Sequence, residues 1–266
     1  MRRIMAVAHN TFREAARNKI MYSLLLFAIV LILSALALAE LSVHEERRMI
    51  RDVGLFGIDV FSVLIAIFVG VNLLYKELAL KTVYTILPKP IARWEFVLGK
   101  WLGVMATLVV QIAVMGVVLA LTLLIAGGDA DADVLDTALP KALWLFLMNV
   151  TIMTSVAMLF SAFTTPFLSG LFSLGVFVVG RQVPDLRQLA ARVGGAMGQI
   201  MDVFTALLPN LHLFAPSGTL VAAQRVSVHG QFVGPAYVGS VTAYALGYSA
   251  SVLALAMLIF RRRDFV

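Results

Sequence analysis

An all-α integral membrane protein with six transmembrane helices is the fold class that the sequence predicts, and three observations predict it. Of the 266 residues, 61% are hydrophobic and only 14% charged, whereas a soluble domain is about a quarter charged. Polar residues are too few to cover a water-facing surface of this size, so lipid must cover much of it. Long charge-poor runs recur along the chain, and lysine and arginine gather at one set of their ends. The net charge of +6 would suit nucleic acid, but the basic residues lie at membrane edges instead of on one binding face, so no nucleic-acid partner is expected. The absence of cysteine excludes disulfides, thiolate metal sites and cysteine nucleophiles.

A helix needs about 20 apolar residues to cross a hydrocarbon layer of roughly 30 Å. Ile20–Ala39 supplies 20 residues without a charge. Val53–Tyr75 carries one, Asp59, while Trp101–Ala126, Ala142–Phe163 and Ala236–Phe260 carry none. Pro166–Gly180 is apolar over 15 residues, about 22 Å as a helix, and is read as a short fifth span. Ala37-Leu38-Ala39 is similar to a signal-peptide cleavage site. However, the run before it exceeds the usual ~7–15 residues and its leading segment is long and contains Glu14. The first run is therefore taken as a retained span.

Orientation follows from the cations that flank the spans. With the N-terminus inside, the inner segments hold Arg2, Arg3, Arg13, Arg17 and Lys19, then Lys76, Lys81, Lys89, Arg93 and Lys100, then Arg261, Arg262 and Arg263. Those thirteen cations face four inner acids, Glu14, Glu77, Glu95 and Asp264. The outer segments hold eight basic and ten acidic residues, with Asp129, Asp131, Asp133 and Asp136 in one short loop. Both ends are basic, so the number of crossings is even. That parity supports counting the short fifth run.

Residues 1–19 place Ile4, Ala8, Thr11, Phe12 and Ala15 on one side of a helix and Arg2, Arg3, Arg13, Glu14 and Arg17 on the other. This reads either as an amphipathic elbow helix in the headgroup layer or as an ordinary basic flank of the first span. Residues 76–100, KELALKTVYTILPKPIARWEFVLGK, are too polar to span but keep a helical rhythm at both ends. Leu78, Val83, Ile86 and Leu87 make a possible apolar face, and Pro88 and Pro90 break it. A helix–break–helix element in the cytoplasm is a surface on which a soluble partner can dock, although positive-inside bias alone accounts for its charge.

The pattern on this loop resembles the type-2 ABC exporter permeases. That family carries a basic-Glu pair, a Thr, a Leu-x-x-Pro turn, an Arg, and Gly-Lys opening the third span. Here Lys76-Glu77, Thr82, Leu87-Pro88-Lys89-Pro90, Arg93 and Gly99-Lys100 stand in that order, with Lys81 where a glycine often precedes the Thr. The opening Asn10-Thr11-Phe12-Arg13-Glu14-Ala15-Ala16-Arg17 and the ending Phe260-Arg261-Arg262-Arg263-Asp264-Phe265 are similar to permeases of copper-processing and other multi-gene export systems. The resemblance implies a single permease domain over residues 1–266, in the bacterial inner membrane, with both termini cytoplasmic. It implies a second permease copy, as a homodimer or with a paralogue, and a cytoplasmic ABC ATPase. That ATPase would receive a coupling helix carrying Glu77, Thr82, Pro88, Pro90 and Arg93. ATP and magnesium would then sit on the partner. This chain lacks the phosphate-binding Gly-x-x-x-x-Gly-Lys-[Ser/Thr], since Gly99-Lys100 runs into Trp101, and no cofactor is expected in it.

Residues 181–235 are apolar for an outer loop. Gly194–Pro216 has Asp202 as its lone charge and is broken by Gly194, Gly195, Gly198 and Pro209. A re-entrant helical hairpin suits this composition, with Leu208-Pro209-Asn210 as its turn, and a small external subdomain is the other reading. In the resembling family such outer helices cap the pathway.

The remaining polar residues suggest packing more than chemistry. Asp59 lies seven residues from the outer edge of its run, so an interfacial place near water or Arg51 is favoured over an intramembrane function. Gln111 and Asn149 suit helix–helix bonding. Ala243, Gly247 and Ser251 form a small-residue stripe for a dimer seam or intrachain packing. His44-Glu45-Glu46-Arg47 lacks the second histidine of a zinc-protease helix, and Ser217 sits in Pro-Ser-Gly instead of a nucleophile elbow. No catalytic or metal site is expected. A stand-alone secondary transporter or intramembrane enzyme remains the alternative, although it would want paired carboxylates, histidines or a broken midplane helix.

Overall fold

Each long apolar run becomes a helix because, away from water, a helix satisfies a single segment's backbone N–H and C=O groups internally. The computed structural model describes residues 2–39, 46–79, 92–126, 138–219, 225–227 and 233–262. Its elements are α1 (Arg2–Ala15), α2 (Lys19–Ala39), α3 (Glu46–Ala79), α4 (Arg93–Ile125), α5 (Ala138–Ser161), α6 (Pro166–Arg181), α7 (Val183–Val193), α8 (Gly195–Leu207), a 3-10 turn (Leu211–Phe214), a ribbon of β1 (Ser217–Thr219) and β2 (Arg225–Ser227), and α9 (Pro235–Arg262). Among the described residues five helices are long and apolar enough to cross a membrane: α2, α3, α4, α5 and α9. The pair α6–α7, bent by 66°, is either a sixth, broken span or a re-entrant loop. The protein is an all-α multi-pass membrane protein. Among the described residues an antiparallel ribbon, with Ser217 opposite Ser227, adds a short pair of strands that was not predicted.

Lipid tails are as apolar as leucine, so close packing, more than the hydrophobic effect, must hold these helices together. α5 lies at the centre, packed by α3, α4, α6 and α9, while α2 closes on α3 and α4. Small side chains at the contacts (Ala28, Ala35, Ala66, Ala142, Ala157 and Ala245) are buried and let backbones approach. α5 also buries Thr151, Thr154 and Ser155, and each hydroxyl donates to a carbonyl oxygen one turn back in its own helix. Polar groups satisfied in this way can sit in a core without partners across the interface.

Local chemistry sets the helix ends. Glu95 accepts the Ala92 backbone N–H at 3.1 Å, closing the first turn of α4. Pro166 and Pro184 sit in the first turns of α6 and α7, where no N–H is needed. The reversal between α7 and α8 falls at Gly194 and Gly195, with φ of 62° and 60°, a conformation that side chains with a Cβ rarely adopt. This corrects the predicted hairpin turn. Leu208-Pro209-Asn210 instead joins α8 to the 3-10 turn, because the proline only ends a helix whereas the two glycines reverse the chain.

Candidate functional site

Two regions bring together the residues singled out from sequence. At one end of the bundle, α1 lies against the first turns of α4. Its inward face buries Ala8, Thr11 and Ala15, and Arg2, Arg3, Arg13 and Arg17 remain exposed. The contact depends on two glycines one turn apart. A Cβ at Gly99 would come 2.8 Å from Val7 Cβ, and one at Gly103 would come 2.6 Å from Thr11 Cβ. Between them Lys100 is buried, its Nζ 3.8 Å from the Glu14 carboxylate and 5.3 Å from the Phe96 ring centre. Trp101 Nε1 donates to Ser155 Oγ at 3.1 Å, tying the start of α4 to α5.

Glu77 falls in the last turn of α3, and Arg93 is the first residue of α4. These two helices are the arms that flank the loop. Thr82, Pro88 and Pro90 lie outside the described residues, as do His44, Glu45, Asp129, Asp131, Asp133, Asp136 and the tail from Arg263.

The second region is the C-terminal end of α6. This helix has 16 residues, about 24 Å, roughly one turn short of the hydrocarbon layer. It ends on Arg181, whose Nη1 donates to Asp59 Oδ2 on α3. Asn149 Nδ2 on α5 donates to Asp59 Oδ1 at 3.0 Å. The Asp59 side chain is 5% exposed and that of Arg181 is 32% exposed. The guanidinium also lies 5.6 Å from the Phe177 ring centre, one turn back. The charged partner of Asp59 is thus Arg181. Asp59 is enclosed where α3, α5 and α6 meet, and its counter-charge comes from the end of the short span.

The stretch after the α7–α8 hairpin is strapped to α9 by three tyrosines. Tyr237 donates to the Leu213 carbonyl oxygen at 2.9 Å, and Tyr248 to that of Leu207 at 3.0 Å. Tyr244 accepts the Asn210 backbone N–H at 3.0 Å. Residues 207–213 thus run antiparallel to α9. Their lower end, at Tyr248, lies 13 residues along α9 from Pro235, roughly 20 Å. The return stretch also meets α6, since a Cβ at Gly180 would come 2.8 Å from the Pro209 carbonyl oxygen.

Asn149 joins helices as anticipated. Gln111 does not: it is buried, and neither amide atom has a hydrogen-bond partner. Ala243, Gly247 and Ser251 are exposed, and a Cβ at Gly247 would meet nothing within 4 Å, so the stripe is not intrachain packing. Between α2, α3 and α6 lies an apolar groove of about 470 Å³, lined by Ile20, Leu24, Phe68, Pro166, Phe167 and Leu174 among others. Sequence reasoning missed Arg181 as the partner of Asp59, the glycine contact beneath α1, and the tyrosine straps. Gly99-x-x-x-Gly103 was a legible signal for the second of these.

Residues 5–265 match the family model described as ABC-2 family transporter protein. No curated protein matches the chain at a significant level.

Proposed function

The chain belongs to the ABC-2 transporter family, and from that premise we propose that it is the membrane-spanning permease subunit of an ABC exporter. The family match over nearly the whole chain carries this reading. The helical arms α3 and α4, which reach the loop at residues 76–100, support it. Two copies, or one copy and a paralogue, pair in a bacterial inner membrane with both termini in the cytoplasm. Each binds a cytoplasmic ATPase that holds ATP and magnesium. The coupling segment, with Glu77, Thr82, Pro88, Pro90 and Arg93, seats in that ATPase. Its motion passes into α4 and into α1, which the contacts at Gly99 and Gly103 join to α4. α1 serves as the elbow at the cytoplasmic surface.

On the outer side, α6 stops short and the hairpin α7–α8 fills the remaining depth. The strap at Tyr248, roughly 20 Å along α9, favours a hairpin that re-enters the outer leaflet. The groove between α2, α3 and α6 is the apolar wall along which cargo or the second copy lies.

The decisive experiment is reconstitution with a candidate ABC ATPase partner. ATP-dependent export by the pair, with Glu77→Ala or Arg93→Ala impairing export without loss of the folded permease, is the expected result. No complex with the ATPase, together with transport by the lone chain in liposomes, would establish a stand-alone transporter instead.

A further inference from the structure

α6 is held to the bundle along one narrow face. It buries Ser169, Ser173 and Gly180, while Phe167, Leu171, Phe172, Leu174 and Val178 are exposed. Its fully buried residues are two serines and a glycine, and its apolar hold comes from Val176 and Phe177, partly buried against the core, and from Phe172, whose ring centre lies 5.6 Å from that of Phe160 on α5. The serine hydroxyls do not bridge this seam. Ser173 donates to the Ser169 carbonyl oxygen, and Ser169 Oγ lies 2.6 Å from Thr164 Oγ1, just before the helix. Among the described residues, the polar contact between α6 and another span is that of Arg181 with Asp59. The inner end is fixed differently. Ser161, which ends α5, donates to the Val71 carbonyl oxygen of α3 at 2.8 Å, and hydrogen-bonded turns lead from there into α6.

We propose that Asp59 and Arg181 form a latch that positions the outer end of α6, and that its release lets α6 hinge away from α3 and α5 about the inner end. The asymmetry of burial suits such a device. Asp59 stays enclosed, and leaving its charge without a counter-ion is unfavourable, which biases α6 toward the closed position. Release is still reachable. Asn149 keeps its bond to Asp59 in either position, and the one-third exposed Arg181 can turn its head to water or lipid phosphate. Release also breaks no hydrogen bond across the serine seam. Movement of α6 shifts the hairpin too, because Gly180 packs against Pro209. The latch stands on this geometry alone, and its place in a transport cycle rests on the permease reading.

The chain has no cysteine, so spin labels can be placed at V178C on α6 and K141C on the first turn of α5, and their separation measured in lipid nanodiscs. The unaltered latch should give one narrow distribution. Asp59→Asn should add or shift to a population longer by about 5 Å, the scale of one helical turn. Arg181→Lys, which keeps the charge, should retain the short distance. An Asp59→Asn distribution identical to the parent overturns the latch. So does a simultaneous change in a K141C–L246C reference pair across α5 and α9, because Asp59 would then support the whole bundle. With the partner ATPase and a non-hydrolysable ATP analogue, the parent chain should populate the longer distance. Binding without that change removes the latch from the cycle. A chain that binds no ATPase overturns the permease reading and the latch's part in transport, while the Asp59→Asn comparison still decides the latch itself.

Discussion

Gly103 on α4 lies so close under Ala8 on α1 that a Cβ would sit 2.5 Å from the Ala8 carbonyl oxygen. The neighbour is backbone and cannot rotate away. Gly103→Ala is therefore expected to push α1 off α4 and to lower stability by about 1–3 kcal/mol, the usual penalty of overpacking. Thermal unfolding in detergent reads this, and faster trypsin cleavage at Arg13 and Arg17 reports the release of α1. Gly247→Ala, on an open face of α9, is the matched control and should be neutral or slightly stabilising. Equal effects at the two sites would show that the α1–α4 contact contributes nothing particular.

Removing either member of the Asp59–Arg181 pair should have unequal consequences. Arg181→Gln strands a buried carboxylate with only the Asn149 amide, a change of about 3–5 kcal/mol for a broken buried pair. Asp59→Asn leaves an arginine that is already one-third exposed and can reach water, so it should be much milder. Denaturation in mixed micelles measures both. A larger loss for Asp59→Asn would mean that Arg181 is the more enclosed charge and that the burial argument is reversed.

The tyrosine straps predict graded loosening of the stretch that follows α8. Tyr244→Phe deprives the Asn210 N–H of its acceptor, and leaving that group unpaired costs about 1–3 kcal/mol. Tyr237→Phe removes a donor from a carbonyl that can accept from water, and should cost about 1 kcal/mol. Hydrogen exchange over residues 207–213 should quicken more for the first variant than for the second. Unchanged protection in both would mean that packing alone holds this stretch to α9.

The spans were legible because length and apolarity are local properties: Ile20–Ala39 or Ala142–Phe163 declares itself within its own residues. What escaped depends on distance along the chain or on the choice between two local signals. Asp59 and Arg181 are 122 residues apart, and nothing near Asp59 indicates which cation folds onto it, so the nearby Arg51 looked the better partner. Pro209 drew the hairpin turn to itself, although Gly194-Gly195 was equally visible and only glycine readily takes the positive φ that the reversal uses. Gly99 was noticed as part of a loop pattern, and its partner four residues on was passed over. The coupling residues remain legible mainly through resemblance, since Thr82, Pro88 and Pro90 lie outside the described residues.

Orientation has a direct test. Thirteen cations on the assigned inner segments against eight on the outer ones imply that Lys89 faces the cytoplasm and that Asp133 faces out. In a chain without cysteine, K89C and D133C each introduce a single thiol. A membrane-impermeant maleimide added to intact spheroplasts should label D133C and spare K89C, which should react only after permeabilisation. R17C, exposed in the turn just after α1, should behave like K89C, because α1 packs against the start of α4, the helix that the loop leads into. Labelling of K89C and R17C from outside would invert the topology. It would also sink the permease reading, since a cytoplasmic ATPase cannot reach a loop on the far side.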